Sequence, residues 1–464
     1  MMNIKNSFTA LLICTFSIGQ AQFTKMFDLS GAETGCYPYM IALTGDGTWL
    51  YGTASNSGLN GSGTIYKIKY DGTDFTKIFD FNDSIGSSPE SGVYFDGTYL
   101  YGNCRSGGIY DFGTLYKIKP DGSDYQVLKD FDGEGDGGIP RGHMYSDGTY
   151  LYGVCTQYGL YMGGILYKIK PDGSDFTILR SFGSGESGNT LYGGVISDGT
   201  YLYGMTVGGG TAHLGVAYKI KPDGTDYSEI INFTDDPNGA WGYGSFVSDG
   251  TYLYGITNNG GEDNRGTIFR VKPDGSDFLQ LHDFANFDGA QPLGSLIIAN
   301  DKLYGMAELG GTYGLGTMYQ LEKDGTGFEL LMEFDGPNGS LPFGTLFYDN
   351  GAIFGVTSEG GATGFGIIFR WGEITSAIVE NTNSSIKIFP NPTSGNIHIE
   401  MLEKLFTGSE IIQIYDLQGK IIHELIAQSG TNSFNIENFP DGIYVIKISD
   451  GLQNHTHHFM VQGN

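Results

Sequence analysis

Three sets of side chains have the types and spacing to do chemistry: aspartate pairs in tight turns, lysines that recur at a fixed interval, and arginines and aromatic rings spread over longer loops. The aspartate pairs (Asp121 with Asp124, Asp172 with Asp175, Asp274 with Asp277) bring two carboxylates together, as a calcium loop would. Calcium takes about six to eight oxygens from a longer loop, whereas Asp beside Gly is ordinary turn chemistry. Sixteen of the 52 acidic residues fall in such turns, more than any one metal site would use. No metal is therefore assigned. The bases Lys67, Lys117, Lys168, Lys219 and Arg270 alternate with Tyr and Ile, the pattern of a solvated strand face.

The third set does not repeat. Arg105, Tyr110, Tyr158, Tyr161 and His213 lie in one class of loop, and Arg141, Trp241 and Tyr243 in another, with His143 just inside the strand that follows. Rings stack on the apolar faces of sugars and planar polar groups fix hydroxyls. These nine residues are the candidate ligand site, for a glycan or another surface protein. The alternative is that the rings pack loops onto the scaffold and the charges keep the surface wet. A polysaccharide-degrading enzyme would need two carboxylates held about 5–10 Å apart. Loop carboxylates abound, but nothing singles out a pair, so no catalytic residue is assigned. Phosphate-binding, zinc and nucleophile-elbow motifs are missing, and no cofactor is expected. A structural surface protein without a small ligand is a further reading. The net charge of −27 opposes nucleic acid and anionic membrane surfaces.

The elements that position these residues recur. Leu-Tyr-Gly begins at Leu50, Leu100, Leu151, Leu202, Leu253 and Leu303, with Ile353-Phe354-Gly355 as a seventh copy. A second phrase, such as YKIKPDGSD from Tyr116 and Tyr167, keeps the same beat. A period near 50 marks a repeat architecture. In the third copy, strand a lies around His143–Ser146, b over Thr149–Thr156, c over Ile165–Lys170 and d over Phe176–Phe182, with Asp-Gly and Pro-Asp-Gly turns between a and b and between c and d. Four strands per copy and seven copies predict an all-β, seven-bladed β-propeller. The short a–b and c–d turns then share one face, and the variable b–c and d–a loops share the other, where function concentrates.

The last copy stops at strand c. Its missing strand is found at the start of the chain, where Phe23–Leu29 (FTKMFDL) matches the strand d Phe75–Phe81 (FTKIFDF) at five of seven positions. The N-terminal strand should close the ring and cover an open edge. Before it, Lys5, an apolar run over Phe8–Ile18 and Gly19-Gln20-Ala21 read as a signal peptide over 1–21, cleaved between Ala21 and Gln22. No other stretch is long and apolar enough to span a membrane as a helix. Cys36, Cys104 and Cys155 read as core fillers, with a Cys36 disulfide as the alternative.

Residues 22–372 thus form the propeller, and 373–385 break the repeat as a linker. Residues 386–464 change style, with alternating apolar strands that predict a small antiparallel β-sandwich. Three phrases stand out there. IKIFPNPTSGNIHIEM carries Pro390, Asn391, Pro392 and Gly395; IIQIYDLQGKIIHEL carries Tyr415, Asp416, Gly419 and Lys420; FPDGIYVIKI carries Gly442 and Tyr444. In this order they closely resemble the type A C-terminal sorting domain of the type IX, or Por, secretion system of Bacteroidota. That resemblance implies export across the outer membrane, recognition by the type IX machinery and removal of the domain by a sortase-like peptidase, leaving the passenger on the cell surface or outside the cell. The tail HHFMVQGN lacks the basic ending common in that family. The repeats are similar to the GloVer tandem repeats of secreted bacterial proteins, a resemblance that implies an extracellular setting and no activity. They share their period with Kelch propellers but lack the Kelch Trp.

Overall fold

Seven four-stranded antiparallel sheets make up the repeat region of the computed structural model, each with the strand order a-b-c-d. The structure describes residues 23–372, except 184, 186, 187, 236 and 237, and seven strands with short flanks between 386 and 461. Ala21, Gln22 and the linker lie outside the described residues. Blade 3 has strand a at Gly138–Ser146, b at Leu151–Gln157, c at Met162–Ile169 and d at Thr177–Gly183. Strand c starts ahead of the expected Ile165 because the glycines extend the strand and not the loop. A Cβ at Gly163 would lie 2.7 Å from the Phe182 carbonyl oxygen.

Blades 1 to 5 repeat the same side-chain devices. The Asp of the a–b turn accepts two backbone N–H groups and the hydroxyl of the Leu-Tyr-Gly tyrosine. Asp147 takes Thr149 N at 2.8 Å, Tyr150 N at 2.7 Å and Tyr152 OH at 2.8 Å. The first Asp of the c–d turn accepts the N–H and Oγ of the residue two on, as Asp172 does from Ser174 at 2.9 and 2.6 Å. The second pairs with a lysine of strand c, Asp175 with Lys170 at 2.5 Å. The turn carboxylates are thereby occupied within their own turns, and among the described residues no three His, Cys, Asp or Glu side chains group to hold a metal.

The other strand-c bases correct the sequence reading. Lys168 is half-buried, lies 4.7 Å from the Tyr150 ring, and donates at 2.9 Å to the Pro222 carbonyl in the next blade's c–d turn. Lys67, Lys117, Lys219 and Arg270 make the equivalent bonds at 3.1–3.2 Å. They are fasteners between blades, and the solvent-facing bases of strand c are the lysines two residues on, such as Lys170, whose side chain is 38% exposed.

The ring closes as the match of Phe23–Leu29 requires. Phe23–Asp28 pairs antiparallel with Ile367–Trp371, Phe23 opposite Trp371. Asp28 also accepts the Ala362 N–H at 2.8 Å, as Asp80 of strand d accepts Leu59 N–H at 2.6 Å in blade 1. Along the axis the blades touch through glycine. A Cβ at Gly193 would lie 2.2 Å from the Gly244 carbonyl oxygen, and one at Gly244 2.4 Å from that of Gly294. Hydrogen bonds then run from blade to blade: Ser245 N to Ser295 Oγ at 2.8 Å, Ser295 N to Thr345 Oγ1 at 2.9 Å, and Thr345 N to Ile41 O at 3.0 Å. Cys36, Cys104 and Cys155 are free and buried, as core fillers would be.

The second compact unit, Thr375–Asn464, holds a three-stranded sheet (Ile386–Phe389, Asn396–Met401, Gly430–Asn435) and a four-stranded one (Ile421–Ile426, Ile411–Tyr415, Gly442–Ser449, Asn454–Val461). Ile397, Ile399 and Phe434 of the first pack with Ile412, Ile414, Tyr444 and Ile446 of the second, which makes the small sandwich. Tyr415 ends one strand and Gly442 begins another, while Tyr444 is buried in the core. Pro390, Asn391, Pro392, Gly395, Asp416, Gly419 and Lys420 lie outside the described residues.

Candidate ligand-binding mouth of the propeller

Two positions of the repeat break its uniformity, and both face the axis on the side of the b–c and d–a loops. The first, ten residues before Leu-Tyr-Gly where the chain enters strand a, holds Glu90, Arg141, Tyr192, Tyr243, Leu293 and Phe343 in blades 2 to 7. Blade 1 has one inserted residue and supplies Tyr39. The second, five residues after the Leu at the end of strand b, holds Ser55, Arg105, Thr156, Val207, Asn258, Glu308 and Ser358. The Leu-Tyr-Gly of strand b, the core of strand c and the tight turns repeat closely, whereas the b–c and d–a loops also differ from copy to copy.

The side chains at these positions touch across blades. The Arg141 guanidinium is 2.6 Å from the Glu90 carboxylate, with both side chains about nine-tenths buried. It also lies 4.7 Å from the Tyr192 ring and 5.8 Å from that of Tyr39. Arg105 approaches Glu90 from the other side at 3.6 Å. Burial pushes the Glu90 carboxyl above its ordinary value against the pull of both arginines. Tyr192 and Tyr243 meet at 4.8 Å with planes 57° apart, and Tyr39 and Phe343 at 4.8 Å with planes 55° apart. Glu308, on the far side of the mouth, is pushed up to about 7 by burial alone.

Beneath this layer lies a cavity of about 20 Å³ lined by Glu90, Arg141, His143, Tyr192, Tyr243 and Ser295, among others. It has room for a water-sized guest and none for a sugar ring. His143 is half-buried and lines this cavity. Burial lowers its imidazole to about 4, so it is neutral at physiological pH.

Of the nine residues singled out in the sequence, the structure brings Arg105, Arg141, His143 and Tyr243 together at the axis. Trp241 stands beside them, 37% exposed, two residues up the loop from Tyr243. Tyr110, Tyr161 and His213 sit on b–c loops farther out, with both tyrosines exposed. Tyr158 packs edge-on against Phe112 at 4.8 Å and joins two loops. Sequence reasoning missed Tyr39, Glu90, Tyr192, Glu308 and Phe343. Aligning the seven copies by position and asking where they disagree would have found all five.

Comparison with known proteins adds the following. The model of the Gloeobacter/Verrucomicrobia repeat matches residues 12–161 and 142–369, and that of the secretion-system C-terminal sorting domain matches 387–462. No curated protein matches the chain. Among solved structures, PorZ, a surface component of the type IX secretion system of Porphyromonas gingivalis, is 15% identical with a TM-score of 0.46, over 94% of this chain and 60% of that one. Oligogalacturonate lyase in complex with manganese is 14% identical (TM-score 0.50, 76% and 96% covered). The extracellular domain of a hybrid two-component system from B. thetaiotaomicron is 10% identical (0.51, 96% and 59%). The chain thus spans about 60% of the length of two of these structures, and at such identities the likeness is one of fold. No helix among the described residues is long and apolar enough to cross a membrane. The chain belongs to the Gloeobacter/Verrucomicrobia repeat family and carries a type IX secretion C-terminal sorting domain.

Proposed function

We propose that the propeller is the ligand-binding module of a surface or extracellular protein, with a glycan or another surface protein as ligand and the axial mouth as the site. One observation carries this reading: two repeat positions at which the copies disagree gather Glu90, Arg105, Arg141, Glu308 and four aromatic rings around one opening. Residues 1–21 act as the signal peptide, residues 373–385 as the linker, and the sorting domain is recognised by the type IX machinery and released by a sortase-like peptidase.

The experiment is a polysaccharide and surface-protein array probed with the full chain and read for both retention and released sugar. Retention without release is expected, at least tenfold weaker for Tyr243→Ala at unchanged melting temperature. Release of sugar would favour the degrading-enzyme alternative, with Glu308 as the first candidate acid. Retention that survives Tyr243→Ala and Arg141→Ala unchanged would remove the mouth as the site.

A further inference from the structure

Glu308 does not fit its surroundings. Five blades carry Ser, Thr, Val or Asn at its position, and the sixth carries Arg105, which has a carboxylate partner. Glu308 is half-buried, and no described residue bonds or pairs with its carboxylate. It lies near Tyr39 of blade 1 and Tyr243 of blade 5, whose phenols its charge helps to raise. The other mouth carboxylate, Glu90, is already engaged by Arg141 and Arg105. A carboxylate taken from water without a partner is costly, and a Ser or Val at that point would avoid the cost. What Glu308 lacks is a cation.

The mouth is suited to one. Its aromatic wall already holds the Arg141 guanidinium against Tyr192, an arrangement in which rings attract cations. It is less suited to a pyranose, because the rings are tilted against one another and the face of Tyr192 is taken. Farther from the axis, the b–c loops of blades 1 to 3 present Leu59, Ile109, Leu160 and Met162, each 66–80% exposed. The first two are held in place by Asp80 and Asp130, which accept the backbone N–H of Leu59 and Ile109. Aliphatic side chains so displayed match an apolar protein surface, and a chain of charge −27 favours a basic partner.

We propose that the mouth receives a lysine or arginine side chain of a basic partner protein, with Glu308 as its counter-charge and Tyr39 and Tyr243 beside it. This rests on the reading of the mouth as the ligand site and names the partner's chemistry.

The test titrates decalysine into the full chain at low salt and compares Glu308→Gln with Asp301→Asn, which neutralises an exposed acid on the opposite face of the same blade. The expected result is at least fivefold weaker binding for Glu308→Gln and less than twofold for Asp301→Asn. Equal effects, or none, would overturn the proposal. Melting curves supply a second readout. Because burial raises its carboxyl, Glu308 keeps a proton in the folded state that the unfolded chain has released, so stability falls as pH rises from about 4.5 to about 7. The groups facing it are Tyr39 and Tyr243, with Glu90, Arg105 and Arg141 across the mouth. Glu308→Gln should therefore melt higher than the parent at pH 8 and level with it at pH 4. Identical melting at pH 8 would mean that the carboxylate has a partner, and the proposal fails. If decalysine ignores Glu308→Gln while Tyr243→Ala still abolishes array retention, the cation assignment falls and the mouth stands. If neither responds, both fall.

Discussion

Tyr152 and Tyr167 of blade 3 face each other's strands, yet their hydroxyls are treated in opposite ways. Tyr152 donates to Asp147 at 2.8 Å. Tyr167 is fully buried and its hydroxyl has no partner, pressed against the space left by Gly153, where a Cβ would lie 2.5 Å away. Blades 5 and 7 carry Phe269 and Phe369 at the position of Tyr167, so the site accepts a ring without the oxygen. A hydrogen bond to a charged group contributes roughly 1.5–3 kcal/mol, and an unsatisfied buried hydroxyl costs roughly 1–3 kcal/mol. Tyr152→Phe should therefore lower stability by about 2 kcal/mol and Tyr167→Phe raise it by about 1 kcal/mol in denaturant unfolding. A loss in both variants would contradict the assignment. The turn role of Asp147 was legible in the sequence, because Asp-Gly turns have a local chemistry. The mouth residues Tyr39, Glu90, Tyr192, Glu308 and Phe343 were not. Each is an ordinary residue in its own stretch, and only its place in the repeat puts it at the axis.

At the level of elements, the period, the four strands and the closure all followed from the residues. A strand read from FTKMFDL needs only its own sequence and that of its copy, and the pairing of Phe23 with Trp371 is the result. Deleting Gln22–Ser30 removes strand d of blade 7 and leaves Ile367–Trp371 as an unpaired edge. The deletion variant should aggregate on refolding and melt lower. A monomer with unchanged melting would refute closure by the N-terminal strand. The lysine fasteners were misread because their partners are distant: Lys168 bonds to Pro222, in a turn of the next blade. An alternating strand pattern reports which side of a sheet a residue is on. It does not report whether another blade covers that side.

At the scale of the whole molecule, the propeller and the small sandwich are separate compact units. The net charge of −27 argued against nucleic acid and anionic membranes, and the three C-terminal phrases pointed to the sorting domain whose model matches residues 387–462. The ligand was not legible, because aromatic and charged loop residues have the same types whether they pack against one another, as Tyr158 does on Phe112 and Arg141 on Tyr192, or meet a ligand. The central claim is that the face of the b–c and d–a loops binds and the opposite face does not. A photo-crosslinking amino acid placed at Trp241, beside the mouth, or at Thr200, in the a–b turn of blade 4, would decide it on cells that display the protein. The account predicts discrete adducts from position 241, lost on Glu308→Gln, and none from position 200. Adducts of equal yield from both positions, or from position 200 alone, would contradict it.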